Sequence, residues 1–359
     1  MTTPLLDVSD LTVRFSQDRG KVYAVNGVSY SLARGETLAV VGESGSGKSA
    51  HVLAMPGLLG TGRYTGAGAA VEVGGSAVFA GKELIGMPEA ELRRLRGSRI
   101  GFVFQDPMSS LNPVLTVGEQ IAEAITSHGV SPRTAEARAL DLLDIVGIPE
   151  PRRRARHFPH QFSGGMRQRA MIAIGIACEP ALLIADEPTT ALDVLVQAQI
   201  IDLMKDLRRQ LGMAMIWITH DMGVVASIAD TVQVMYGGRI MERGPVRAVF
   251  HDTRSAYTWG LLNSLPDAEM HAPSLAGRRP RLRQIPGQPP DMTQVPVGDP
   301  FAPRNRFATH RCLSETPPLQ QVADGAPGHL VAAWYDLPQV LRAVAHRDAS
   351  PQALTEMGT

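Results

Sequence analysis

Eight residues, Gly42-Glu43-Ser44-Gly45-Ser46-Gly47-Lys48-Ser49, restrict the possible folds more than any other stretch of the chain. They follow the apolar run Thr37-Leu38-Ala39-Val40-Val41, which reads as a buried strand, and precede Ala50-His51-Val52-Leu53-Ala54-Met55, which continues as a helix. The three glycines let the backbone turn tightly with its N–H groups around an anion, and the helix points its positive end at the same place. Lys48 then reaches the β- and γ-phosphates of a nucleotide, and the Ser49 hydroxyl ligates Mg²⁺. A glycine triplet alone would be weak evidence, but the complete string between a strand and a helix is strong.

The rest of the chain must build around that loop. At 359 residues, with 44% apolar and 19% charged residues, it can bury one large core and a smaller second one. Lys+Arg and Asp+Glu both number 35, which argues against a nucleic-acid partner drawn by long-range charge. Two cysteines, Cys178 and Cys312, make no disulfide framework and suit a reducing cytoplasm. The segment Met1 to Asp7 lacks the pattern of a secretion signal. The longest uncharged apolar stretch, Ala170 to Cys178, is far short of a membrane span, so a membrane role must come through a partner.

Before the loop, residues 11–15 and 28–32 read as strands, and Phe15 and Tyr23 are candidates to stack on a purine, although most such aromatics are core. After the first helix, Gly57 to Gly75 breaks regular structure, and Val71-Glu72-Val73 and Ala77-Val78-Phe79 resume a strand pattern. Arg93, Arg94, Arg96 and Arg99 read as a solvated basic helix face, and the run Arg152 to His157 as a solvated loop. Ile100 to Phe104 reads as a strand ending on Gln105, whose amide can reach a water of the nucleotide site or ligate Mg²⁺. Residues 114–178 are mostly helical by periodicity.

Within that insert, Ser163 caps a helix opened by Gly164 and Gly165, whose bare N–H groups form a second phosphate-ready helix start. One γ-phosphate has no use for both starts unless two chains pair head to tail. The run Ala181 to Ala185 then reads as a central strand feeding Asp186 and Glu187. Alternation along a strand sends successive side chains to opposite faces and so gives the two acids different tasks. Asp186 suits the Mg²⁺ shell, and Glu187 suits polarising an attacking water. Asp193 precedes an amphipathic helix over 196–211, and His220 ends a further buried strand, where it can sense a γ-phosphate.

In this order, Gly42 to Ser49, Gln105, Ser163-Gly164-Gly165-Met166-Arg167-Gln168, Ile184-Ala185-Asp186-Glu187, Ala191-Leu192-Asp193 and His220 resemble the Walker A, Q-loop, signature, Walker B, D-loop and switch-histidine motifs of ATP-binding cassette (ABC) subunits. Residues 104–113 and 185–194 more narrowly resemble the ATPase subunits of dipeptide, oligopeptide and nickel importers. The resemblance implies an α/β fold, an ABC-type P-loop NTPase core with an antiparallel β subdomain, a helical subdomain at about 112–178, and a small C-terminal extension. It places the nucleotide-binding domain at 1–250 and the extension at 251–359, with a Pro/Arg-rich linker at 271–303.

The same resemblance implies ATP and Mg²⁺ as ligands, with nucleotide contacts from Gly42 through Ala50. It implies two cassettes that sandwich two ATP molecules, with Asp193 near the opposite site. The expected partners are two transmembrane permease subunits, a second ABC ATPase chain and, indirectly, an extracytoplasmic solute-binding protein. The expected place is the cytoplasmic face of the cell membrane, held peripherally. Alternatives are a non-transport cassette ATPase, which usually carries tandem cassettes or a coiled-coil insertion, and a binding-only cassette, which would be expected to lose Glu187.

The tail departs from the importer pattern. Of a family segment reading His-Pro-Tyr-Thr, only Tyr257 and Thr258 remain. Where the tail resembles a cysteine-bearing segment, Asp299, Asn305 and Ala333 stand in cysteine positions and Cys312 alone matches. An iron–sulfur cluster normally takes four thiolates, so none is expected.

Overall fold

The computed structural model describes residues 3–17, 20–59, 70–190, 192–264 and 284–348. A four-stranded antiparallel sheet comes first, in the order β2-β1-β4-β5, from β1 (Leu6–Gln17), β2 (Gly20–Leu32), β4 (Ala70–Phe79) and β5 (Lys82–Glu83). Leu6 and Val8 face the core, and so do Leu11 and Val13, although the spacing from Val8 to Leu11 breaks strict alternation. A bulge between Val8 and Leu11, with Asp10 at φ 49°, absorbs the extra residue and returns the apolar set to one face. The two strand fragments expected at 71–73 and 77–79 form one strand, which starts inside the glycine-rich stretch at Ala70; residues 60–69 of that stretch lie outside the described residues.

The second sheet has eight strands in the order β11-β12-β10-β9-β3-β8-β7-β6. Its parallel part comprises β3 (Thr37–Val41), β6 (Ile100–Val103), β7 (Leu182–Asp186), β8 (Ala214–Ile218) and β9 (Thr231–Tyr236). Every residue of β3, β7 and β8 is buried, which explains why they read as unbroken apolar runs rather than alternations. Because the pairing is parallel, the carboxyl ends of β3, β6, β7 and β8 share one edge, the usual place for a ligand in such a sheet. Helices α1 (Lys48–Ala54), α8 (Val194–Leu211) and α9 (Met222–Ile228) connect this part of the sheet.

Helix α2 (Glu89–Leu95) stops before Arg96, and there the expectation of a solvated basic face fails. Arg96 donates to the carbonyls of Pro56 (2.7 Å) and Gly57 (3.1 Å) and pairs with Glu89 (2.7 Å), so it clips α2 to the end of α1. The helical insert holds α3 (Pro107–Ser110), α4 (Val117–Thr126), α5 (Pro132–Ile145), α6 (Pro151–Arg154) and α7 (Gly164–Gly175). Thr116 and Glu119 form a capping box at α4, and Ser131 caps α5 with Pro132 in its first turn. Ile121, Ile125, Leu142, Leu143 and Ile172 pack these helices on one another and on the sheet.

The C-terminal extension continues the same sheet. After β10 (Arg239–Pro245), α10 (Val246–His251) and α11 (Ala256–Asn263) come α12 (His310–Ser314), β11 (Leu319–Gln321), β12 (Leu330–Ala332) and α13 (Leu337–Asp348). β12 pairs antiparallel with β10, Glu242 opposite Val331. The fully buried Glu242 accepts from the backbone of Arg254 (2.7 Å) and Ser255 (3.1 Å) and contacts His329 Nε2 (2.9 Å), which ties the two segments together. Of the linker expected at 271–303, residues 284–303 are described. Residues 284–303 lie against the cassette: Tyr23 N donates to Met292 O (2.8 Å), and a Cβ on Gly237 would meet Pro300 at 2.8 Å. Residues 271–283 lie outside the described residues.

Candidate functional site

The loop between β3 and α1 is shaped by glycines that nothing else could replace. Gly42 (φ 152°) approaches Met235 O so closely that a Cβ would lie 2.1 Å from it, and at Gly47 (φ 96°) a Cβ would lie 2.4 Å from Ala24 O. Gly45 also has positive φ (78°) but faces open space. Lys48 Nζ donates to the carbonyls of Gly42 (2.8 Å) and Glu43 (2.9 Å), bridging the mouth of the loop. Burial holds its pKa below the ordinary lysine value, opposed by the charges of Glu187, Asp186 and Glu43. Ser46 Oγ is buried without a hydrogen-bond partner, so the cradle presents polar groups that an anion could satisfy. Ser44 and Ala50 flank this core of the loop, Ala50 on the inner face of α1 against the apolar core.

Ser49 Oγ donates to Asp186 Oδ1 at 3.0 Å, which joins the first turn of α1 to the end of β7. Asp186 is buried, and its pKa is raised chiefly by that burial, with the Ser49 hydrogen bond opposing and the Glu187 charge adding. Two hard oxygen donors, a hydroxyl and a carboxylate, fit a Mg²⁺ shell that keeps waters and takes phosphate oxygens.

Glu187 departs from the expected geometry. β7 ends at Asp186, and Glu187 takes the left-handed conformation at φ 45°, so it is not the next pleat of the strand. Its N–H donates to Ile218 O (3.0 Å). Its Oε2 accepts from Gln105 Nε2 (3.2 Å) and Thr190 Oγ1 (3.0 Å) and lies 3.5 Å from His220 Nδ1. The two acids do have separate surroundings, but a backbone turn separates them, not strand alternation. Gln105 and His220 are exposed and reach Glu187 from the ends of β6 and β8.

Other expected residues stand elsewhere. Ser163 caps α7, accepting from Met166 N (3.4 Å), and Gly164 and Gly165 are neighbours of Leu192 and Val196; a Cβ on Gly165 would lie 2.8 Å from Val196. Asp193 caps α8, accepting from Val196 N (2.9 Å), and Ala191 lies outside the described residues. Beside it Val194 and Leu195 are 81% and 77% exposed, an apolar pair facing solvent next to the second phosphate-ready helix start. Of the two aromatics, Phe15 is half-buried and packs one side against the apolar core. Tyr23 stays beside the loop, since its neighbour Ala24 touches Gly47. The Arg14 guanidinium lies 5.6 Å from the Tyr23 ring centre.

Two residues of the site carry no local signal of their role. Tyr257 Oη accepts from Glu43 N (2.8 Å), and Arg304 pairs with the Glu43 carboxylate (2.7 Å). The retained Tyr257-Thr258 pair was the only hint. The four tail positions that resemble cluster ligands do not fit a cluster. Ala333 has no donor, Asn305 Nδ2 is bonded to Tyr335 Oη (2.6 Å), Asp299 accepts from Phe301 N (2.9 Å), and Cys312 is the sole thiol of the four.

Comparison with known proteins adds to this geometry. Residues 25–190 match the ABC transporter family and residues 241–312 the oligopeptide/dipeptide transporter C-terminal region. The oligopeptide transport ATP-binding protein OppD of Bacillus subtilis (strain 168) is 47% identical over 342 residues, 94% of this chain and 91% of that protein. OppD of Haemophilus influenzae is 49% identical over 310 residues, covering 86% and 91%. Among solved structures, a dimeric ATP-binding cassette in a post-hydrolysis state with ADP and Pi aligns with TM-score 0.59 at 27% identity, over 67% of this chain and 99% of that one. The cbiO1 protein of Clostridium perfringens, part of an ABC transporter complex, aligns with TM-score 0.58 at 27% identity, over 70% and 92%.

Proposed function

Because this chain belongs to the ATP-binding subunits of the oligopeptide/dipeptide ABC transporters, we propose that it binds ATP in the Gly42–Ser49 loop and hydrolyses it to power the import of peptides. The observation that carries this reading is the convergence on one sheet edge of Lys48, the Ser49–Asp186 pair and the Glu187 carboxylate with Gln105 and His220 around it.

In this reading the loop N–H groups and Lys48 hold the β- and γ-phosphates, and Ser49 and Asp186 hold Mg²⁺, with Gln105 at its edge. Bound Mg²⁺ neutralises charge on the phosphate oxygens. Glu187, on the other side of the turn from Asp186, orients a water and takes its proton as the γ-phosphoryl group leaves ADP for the water oxygen. His220, on the same carboxylate, senses the γ-phosphate. Phe15 and Tyr23 are the base-stacking candidates.

The second helix start, Ser163-Gly164-Gly165, completes the nucleotide site of a partner cassette, with Asp193 near it. The exposed Val194 and Leu195 supply apolar area for that contact. Permease subunits carry the motion across the membrane, and a solute-binding protein delivers peptide to them without touching this chain. No helix among the described residues is long and apolar enough to cross a membrane, which suits a peripheral place on the cytoplasmic face.

The test uses Glu187→Gln in the assembled transporter. ATP binding persists while turnover falls by about 10²–10⁴-fold, the usual contribution of a positioned acid–base group. Imaging of that ATP-loaded complex then finds Ser163 of this chain against the triphosphate held by the partner cassette. Unchanged turnover, or a Ser163 helix start remote from nucleotide, refutes the reading.

A further inference from the structure

The phosphate loop of this chain is held from outside the cassette. Glu43 is its second residue, and all three of its polar groups are engaged. Its carbonyl accepts from Lys48 (2.9 Å), its N–H donates to Tyr257 Oη (2.8 Å), and its carboxylate pairs with Arg304 (2.7 Å). Tyr257 and Arg304 both belong to the C-terminal extension, and Arg304 is 261 positions away in sequence.

Arg304 is not a mobile surface cation. Its side chain is 6% exposed. Besides Glu43 it donates to Tyr236 Oη (3.0 Å) and to the carbonyls of Pro286 (2.7 Å) and Ile285 (3.4 Å), and its guanidinium lies 5.7 Å from the Tyr236 ring centre. A guanidinium fork bonded on several sides is fixed in orientation and stays charged at any working pH. The tail that carries it closes over the loop. Pro290 and Met292 face Ser44, Gly45 and Ser46 across a cleft of about 90 Å³, and Met292 O is the acceptor for Tyr23 N.

The placement has an electrostatic consequence. Glu43 puts a carboxylate at the mouth of a loop built for a polyanion, and an unpaired charge there would repel the phosphates. Arg304 cancels that charge, while Tyr257 at the Glu43 N–H and Lys48 at its carbonyl hold the peptide, so the loop is set before nucleotide arrives. We propose that Arg304 is a positioning residue for ATP binding, through which the C-terminal extension sets the conformation and charge of the phosphate loop. The proposal rests on the reading of Gly42–Ser49 as the ATP site.

The experiment titrates the full chain with a non-hydrolysable ATP analogue and Mg²⁺, and follows ATPase kinetics in parallel. In Arg304→Gln the affinity falls about tenfold, within the span common for coupling between a ligand and a remote group, and the loss falls on KM rather than kcat. Adding Glu43→Gln to that variant recovers most of the affinity, because the repelling carboxylate is gone. Should Arg304→Gln be insoluble, Arg304→Lys carries the test, with a smaller loss of about threefold from the missing fork. Wild-type affinity in either soluble variant, or a double variant as weak as Arg304→Gln, overturns the proposal while leaving the ATP site intact. Failure of the wild-type chain itself to bind the analogue overturns the ATP site and this proposal with it.

Discussion

Asp299 offers a quantitative test of how the tail is built. It stands where the resembling tail carries a cysteine, and it is buried between the backbone of Cys312 and the aromatic cluster of Tyr236 and Phe301. Burial raises its pKa from 3.8 to about 6, and the one hydrogen bond from Phe301 N opposes the rise without cancelling it. The native state therefore binds the proton more tightly than the unfolded chain. The stability this contributes is complete below pH 3.8 and is lost as pH rises through about 6. A shift of that size corresponds to about 3 kcal/mol, most of which is lost between pH 4 and pH 7.5.

Asp299→Asn removes the titration and keeps an acceptor for Phe301 N. The amide introduces its own pH-independent cost, so the informative quantity is the change in the gap between variant and wild type across pH. That gap moves in favour of the variant by about 2 kcal/mol from pH 4 to pH 7.5. With an unfolding entropy of about 2.1 cal/mol/K per residue, this is a relative rise in Tm of about 3 °C. Thermal melts of both proteins at a series of pH values measure it. Parallel pH profiles would show that Asp299 is solvated in the native protein and that the burial argument is wrong.

Two further perturbations address the loop. Gly47→Ala forces a Cβ to within 2.4 Å of Ala24 O at φ 96°, so it costs about 2 kcal/mol or more and displaces the cradle; a soluble variant that binds ATP normally would contradict the packing. Lys48→Ala leaves the carbonyls of Gly42 and Glu43 without their shared donor and takes a positive charge from the phosphates; equal ATP affinity in a titration would remove Lys48 from the site.

Most of the site was legible because its parts are local. A strand, a glycine turn and a capped helix start are specified within about ten consecutive residues, as at 37–49 and 163–175. The same locality explains what escaped. The sequence around Arg304 contains nothing that announces a contact with Glu43, because its partners are assembled by the sheet and the tail together. Likewise the basic run at 93–99 hid Arg96, whose clip on Pro56 and Gly57 depends on where α1 ends. The proline-rich composition of 284–303 described backbone preference correctly but not the surface on which that backbone lies.

The turn at Glu187 shows how local strain and function meet. Asp186 still pairs in register with Ile218, and Glu187 N donates to the Ile218 carbonyl, so the peptide between the two acids stays anchored to β8. Had Glu187 continued the strand, its side chain would have pointed to the opposite face of the sheet, away from Asp186 and towards helices. The left-handed turn at φ 45° instead keeps its carboxylate on the ligand edge, where Gln105, Thr190 and His220 reach it. Asp186 feels that nearby charge as one of the causes that raise its pKa, after burial. The strained residue is thus what allows two neighbouring carboxylates to share one edge of the sheet in separate surroundings, Asp186 on Ser49 and Glu187 on Gln105 and Thr190.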